Sequence, residues 1–214
     1  AEVLGVVPTP AIAYLTRKYQ ADAGIVISAS HNSMEYNGIK VFNAQGYKLA
    51  DEIEARIEAR ILSPEAADLP TGAALGRRVQ RDTAAEDYAR FLEESAECRL
   101  DGLRLVLDTA NGAACEVAPR VFSALGAQVE CIGNTPDGTN INADCGSTHP
   151  EGLQAAVRER GADIGLAFDG DADRLIAVDE QGRLVDGDRV MAVCATDMQA
   201  RGKLAQNTVV GTVM

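Results

Sequence analysis

The chain has no long apolar run. Its longest hydrophobic stretches are short and broken by polar residues, so none has the length a bilayer-spanning helix needs. The first residues, AEVLGVVPTP, lack the basic flank and extended apolar stretch of a secretory signal. Positive charge is scarce: 20 Lys and Arg stand against 32 Asp and Glu, a net charge of −12. That balance argues against a nucleic-acid surface, and it obliges any site for an anionic ligand to gather its cations locally. No Cys-x-x-Cys pair occurs, and the two histidines stand at no zinc-like spacing from the five cysteines, Cys98, Cys115, Cys131, Cys145 and Cys194. A dispersed, odd set of cysteines reads as reduced thiols of a cytoplasmic protein rather than a disulfide framework. Neither a membrane nor a nucleic acid is an expected partner. With 46% hydrophobic and 24% charged residues over 214 positions, the chain reads as a soluble globular protein with material for one large domain or two ordinary ones.

There is no initiating Met, and 209–214 reads as a strand with nothing after it, so both ends are expected to be cut from a longer protein. Between them, helical spacing of Ile12, Leu15 and Tyr19 predicts a helix over 10–20, with Pro8 and Pro10 at its start. The β-branched run Ile25-Val26-Ile27 reads as a buried strand, and Ile39–Phe42 as a second. Ile53, Ile57 and Ile61 mark a helix over 51–62, and 63–76, with two prolines and two glycines, is a linker. A helix over 82–97 is followed by alternation: strand 103–107, helix 113–125, strand 128–132, helix 150–160, strand 164–168. This order predicts an α/β fold of repeated units with largely parallel mixed sheets.

A repeat supports that reading. Ala21-Asp22-Ala23-Gly24-Ile25-Val26-Ile27-Ser28-Ala29-Ser30 parallels Ala162-Asp163-Ile164-Gly165-Leu166-Ala167-Phe168-Asp169-Gly170-Asp171. Each is followed by a strand, a Gln-Gly turn (Gln45-Gly46, Gln181-Gly182), a short strand and a helix. Ser30 and Asp171 thereby fall in equivalent loops at the carboxyl ends of equivalent strands, the edge where open α/β sheets place ligands.

Asp169, Asp171 and Asp173 are three carboxylates at alternate positions directly after a strand, unfavourable together without a cation or retained protons. Oxygen ligands select Mg²⁺ or Ca²⁺. An EF-hand is excluded, since Arg174 stands at the sharp-turn glycine position and the flanks read as strands. A phosphatase with a strand-end aspartate nucleophile would continue with Gly-Thr, where Ala172-Asp173 stands here; it remains the alternative. A Ser/His/Asp triad has no G-x-S-x-G elbow to support it. A serine facing the metal loop could carry a transferable phosphoryl group, with Lys40 and Arg174 stabilising charge and His31 and Asn32 orienting phosphate.

Ser28-Ala29-Ser30-His31-Asn32 with Asn37-Gly38-Ile39-Lys40 resembles the phosphoserine loop of the α-D-phosphohexomutases, and Asp169-Gly170-Asp171-Ala172-Asp173-Arg174 their magnesium loop. Val7-Pro8-Thr9-Pro10, Leu107-Asp108-Thr109-Ala110-Asn111-Gly112-Ala113 and Gly211-Thr212-Val213-Met214 are similar too. Asp137-Gly138-Thr139-Asn140-Ile141-Asn142 and Cys145-Gly146-Ser147-Thr148-His149-Pro150-Glu151 resemble the branch of the family that acts on glucosamine phosphates.

The resemblance implies interconversion of glucosamine 6-phosphate and glucosamine 1-phosphate, a step towards UDP-N-acetylglucosamine. It would run through a phosphoserine at Ser30 and a sugar bisphosphate, which also serves as activator. Mannose or glucose phosphates, or a metal-binding module without catalysis, stand as alternatives. The implied site has Ser30, Asp169, Asp171 and Asp173 around one Mg²⁺, with Lys40, His31 and Arg174 contacting the transferring group. The implied layout is part of a first domain over 1–76, a second over 77–185 and the start of a third over 186–214. Such a piece would turn over a phosphosugar slowly or not at all by itself, and a homodimer stays open for the full-length protein. Two departures from the family pattern stand out: Ser33 where proline is usual, and Ala172 where a second glycine is usual, tolerable if its φ is negative.

Overall fold

The computed structural model describes residues 1–63 and 69–211. A short strand, β1 (Glu2–Val3), leads into helix α1 (Thr9–Lys18), strands β2 (Ala23–Ser28) and β3 (Gly38–Asn43), and helix α2 (Asp51–Leu62). Then come β4 (Val79–Gln80), α3 (Ala84–Ser95), β5 (Arg104–Asp108), α4 (Ala114–Ala124), β6 (Gln128–Ile132) and α5 (Glu151–Arg160). Strands β7 (Ile164–Phe168), β8 (Leu175–Asp179) and β9 (Leu184–Val185) precede α6 (Gly187–Ala200). The α/β alternation is as the sequence predicts. The parallel pair β1–β4 had no signal of its own. The strand expected over 209–214 does not form at 209–211, and 212–214 lie outside the described residues. In the 63–76 linker, 64–68 also lie outside them, and 69–76 contain only the 3₁₀ turn Gly72–Ala74.

The main sheet runs β6-β5-β7-β8-β9, parallel across β6-β5-β7 and antiparallel from β7 to β9. Its interior strand β5 carries a continuous apolar run, Leu105-Val106-Leu107, because both faces are covered. Leu105 and Leu107 pack on one side with Ala114 and Ala118 of α4; Val106 packs on the other with Leu153 and Val157 of α5. A second core joins the amino-terminal elements to the rest: Ala11, Ile12 and Leu15 of α1 meet Ala84, Tyr88 and Ala89 of α3 and Val117 and Val121 of α4. Tyr14 stacks on Phe91 at 4.0 Å between ring centroids, and Asp87 accepts hydrogen bonds from Lys18 and Tyr19.

The repeat is written in turn chemistry. Asn43 Oδ1 accepts from the amides of Gln45 and Tyr47, and Asp179 Oδ1 accepts from those of Gln181 and Arg183. Gly46 and Gly182 both take positive φ, +78° and +76°. The glycine of each Ala-Asp-x-Gly is where the preceding helix crosses its strand. A Cβ at Gly24 would meet Thr16 Oγ1 at 2.1 Å, and one at Gly165 would meet Val157 at 2.6 Å.

One expectation is corrected. Strand β2 is not buried on both faces: α1 covers the side carrying Gly24 and Val26, while Ile25 and Ile27 are 61% and 70% exposed. Its sheet has two strands and a helix on one side only. Helix α2, which forms from its helical spacing, and helix α6 likewise bury no described residue.

Candidate active site

The loop 169–174 leaves β7 and returns as the antiparallel β8. Its main chain caps two helices. The Ala113 amide at the start of α4 donates to the Gly170 carbonyl at 2.8 Å, and the Thr9 amide opening α1 donates to the Asp171 carbonyl at 2.9 Å. First-turn amides of a helix have no partner within it, so the loop meets that need twice. In return two positive helix ends face the acidic cluster. A Cβ at Gly112 would lie 2.3 Å from the Gly170 carbonyl oxygen, so only glycine admits the loop this close to α4.

Within the loop the carboxylates are sorted by oxygen. Asp169 is fully buried; its Oδ1 accepts from the amides of Asp173 and Arg174, both at 3.1 Å, and its Oδ2 has no partner. Asp171 is 1% exposed; its Oδ2 accepts from Thr9 Oγ1 at 2.8 Å and Lys40 Nζ at 2.6 Å, and its Oδ1 has no partner. Asp173 is open to solvent and meets Lys40 Nζ at 3.3 Å. Ligand oxygens of the three lie within 4.8 Å of one another. Two buried carboxylate oxygens left unpaired beside a third carboxylate are an arrangement a protein retains for a cation. Burial, then the neighbouring negative charges, push the Asp169 carboxyl above the usual range. Burial acts the same way on Asp171, but the Lys40 and Thr9 hydrogen bonds outweigh it and hold that carboxyl low. Lys40 is raised despite its own burial, by its bond to Asp171, and stands as an ammonium.

The Ser30 loop meets this one across the chain. A Cβ at Gly170 would lie 2.6 Å from the Ser30 carbonyl oxygen, and Asn142 Nδ2 donates to the carbonyls of Ser30 and Asn32, each at 2.8 Å. Ser30 itself takes φ +54°, and its amide donates to Ser28 Oγ at 2.9 Å. That bond commits Ser28 to shaping the loop. Ser30's main chain, Lys40, Asp169, Asp171 and Asp173 are thus brought together. His31 lies half-buried beside Ser30, with Nδ1 buried and unpaired. Arg174 contributes its main-chain amide, while its guanidinium is 57% exposed and 3.9 Å from Asp173.

Two residues escaped the sequence reading, Thr9 and Asn142. Both lie in motifs that resembled the family, but their contacts span 162 and 112 positions. Ala172 needs correction: its φ is +56°, not negative, so its methyl occupies a left-handed conformation that glycine takes at no steric cost.

Residues 1–68 match the model for phosphoglucomutase/phosphomannomutase, alpha/beta/alpha domain I, and residues 86–182 match that for domain II. The chain belongs to the phosphoglucomutase/phosphomannomutase family. The phosphoglucosamine mutase of Acetivibrio thermocellus is 56% identical over 212 residues, 99% of this chain and 47% of that protein. That of Clostridioides difficile is 57% identical over 212 residues, again 47% of its length. The chain spans about half the length of the curated relatives it matches. A solved phosphoglucomutase/phosphomannomutase family protein from Burkholderia thailandensis superposes with a TM-score of 0.75 at 30% identity, over 94% of this chain and 45% of that one. N-acetylphosphoglucosamine mutase of Aspergillus fumigatus, solved with GlcNAc-6P and magnesium, gives 0.63 at 18% identity, over 92% of this chain and 53% of that one, a likeness of fold. Among the described residues no helix is long and apolar enough to cross a membrane.

Proposed function

We propose that this chain carries the phosphoryl-donor and metal-binding part of a cytoplasmic phosphoglucosamine mutase, interconverting glucosamine 6-phosphate and glucosamine 1-phosphate. The observation that carries the reading is the junction itself: the Ser30 loop is seated on Gly170 and Asn142, directly against the carboxylates. Relatives named phosphoglucosamine mutase, 55–57% identical over nearly all of the chain, support the choice of sugar. On this reading 1–76 and 77–185 are successive domains of the family and 186–214 opens a third.

Asp169 Oδ2, Asp171 Oδ1 and a carboxylate oxygen of Asp173, with an oxygen on Ser30, would hold one Mg²⁺. When bound, the ion supplies positive charge opposite the phosphate oxygens. Ser30 carries the phosphoryl group as a phosphoserine. The group leaves Ser30 Oγ as a phosphorus–oxygen bond forms to a sugar-phosphate hydroxyl, and the hydroxyl's proton ends on Ser30 Oγ. The product is a bisphosphate, which turns over in the site and returns its other phosphoryl group to Ser30; added bisphosphate acts as activator by the same return step. Lys40, an ammonium tied to the acidic cluster, stabilises charge developing on the transferring group. His31 and Arg174 contact phosphate.

The test is an assay of the complete protein with glucosamine 1-phosphate and trace sugar bisphosphate. Isomerisation supports the proposal. Release of inorganic phosphate alone identifies a phosphatase, and the absence of both favours a metal-binding module.

A further inference from the structure

Thr9 lies outside the acidic loop in sequence and belongs to the other unit, yet it touches the loop twice. It is the first residue of α1 and is 6% exposed. Its amide donates to the Asp171 carbonyl at 2.9 Å and its hydroxyl to Asp171 Oδ2 at 2.8 Å. Together these bonds fix both the main chain and the carboxylate plane of Asp171. Pro8 and Pro10 on either side set the backbone from which they are made, since each locks its own φ and lacks an amide. With Oδ2 bonded to Thr9 and Lys40, Asp171 has a single unpaired oxygen, Oδ1, buried and turned away from those partners.

We infer that Thr9 is a positioning residue of the metal site: its hydroxyl and amide orient Asp171 so that Oδ1 is presented to a divalent cation. The inference rests on the metal-site reading above. Partners that orient a ligand carboxylate typically govern metal affinity by about 10- to 100-fold. The sign follows from geometry. Freed of the Thr9 hydroxyl, the carboxylate can rotate about its last bond, and orientation has then to be restored on binding. The slight gain in basicity from losing one hydrogen bond works the other way and is smaller, because Lys40 still occupies Oδ2. As Thr9 sits in the unit that carries Ser30, it also ties the acidic loop to that unit.

The experiment is calorimetric titration of the complete protein with Mg²⁺, comparing wild type with Thr9→Val, Thr9→Ser and Thr16→Val. Thr16 is the control: it is buried in the same helix, and its hydroxyl donates to the Ile12 carbonyl, away from the acids. The expected result is a loss of about 10- to 100-fold in Thr9→Val, with near wild-type affinity in Thr9→Ser and Thr16→Val. Unchanged affinity in Thr9→Val overturns the assignment, and so does an equal loss in Thr16→Val, which would mark a general weakening of α1. Should Thr9→Val fail to fold, Thr9→Ala takes its place in the same titration. A wild type that binds no Mg²⁺ overturns the metal-site reading and this inference with it; binding by wild type with no effect at Thr9 overturns this inference alone.

Discussion

Asn142 holds the loop of Ser30 by its main chain, its Nδ2 lying 2.8 Å from the Ser30 carbonyl oxygen. The same nitrogen reaches Asn32 at 2.8 Å, so one amide fixes both ends of the segment that contains Ser30 and His31. Asn142 is buried and left-handed at φ +57°, and it stands in the stretch that links β6 to α5. Asn142→Ala in the complete protein should lower mutase turnover by about 10²-fold, since a misplacement of about 1 Å costs that much in a positioned reaction. Mg²⁺ affinity, for which the three aspartates would supply most of the ligand oxygens and Ser30 one, should fall much less than turnover. Turnover near wild type would show that the Ser30 loop needs no such hold.

Ala172 offers a stability test. A non-glycine residue in the left-handed region costs about 1–2 kcal/mol, and glycine in the unfolded chain gives back about 0.5–1 kcal/mol of that advantage. Ala172→Gly should therefore stabilise the protein by roughly 0.5–1 kcal/mol, read as a higher urea midpoint at unchanged slope. A lower midpoint would mean that the methyl of Ala172, which packs near the α4 face of the sheet, outweighs the strain.

Asp87 joins α3 to α1. The Lys18 ammonium first, then the Tyr19 hydroxyl, hold its carboxyl down at about 2 against an ordinary 3.8. A carboxyl lowered on folding stabilises fully above its unfolded value and loses that contribution as pH falls through the folded one. With screening at a partly exposed pair, the contribution is about 1–2 kcal/mol. Asp87→Asn should lose that much at neutral pH, and its deficit relative to wild type should shrink between about pH 4 and pH 2. Equal deficits at both ends of that window would place the role of Asp87 in shape rather than charge.

Metal binding should appear as stability. Mg²⁺ at one hundred times its dissociation constant should raise unfolding free energy by about 2.7 kcal/mol, and chelation should reverse it. Asp171→Ala should abolish the Mg²⁺ increment, because among the described residues it removes one of the two buried carboxylate oxygens that lack a partner. An increment that survives in Asp171→Ala would place the cation elsewhere.

Much of this was legible in the sequence because it is local. The period of Ile53, Ile57 and Ile61 gives α2, and Ala-Asp-x-Gly marks the helix–strand crossings at Gly24 and Gly165. The residue types of Ser30, Lys40 and the three aspartates, with their resemblance to a family, anticipated which loops meet. What stayed hidden is non-local or conformational. Nothing near Thr9 or Asn142 announces a partner more than a hundred residues away, and the sign of φ at Ala172 depends on how the loop closes over Asp169. The exposure of Ile25 and Ile27 follows from which face α1 covers, and an apolar run does not encode that.

Ser30 is the residue on which the proposed phosphoryl transfer turns. The most direct measurement is to incubate the complete protein with Mg²⁺ and a sugar bisphosphate, quench, and map the phosphate by peptide mass spectrometry. The account predicts acid-stable phosphate on Ser30, none on Ser28 or Ser33, and none at all in Ser30→Ala. Acid-labile phosphate on Asp169, or phosphate confined to another serine, would contradict it.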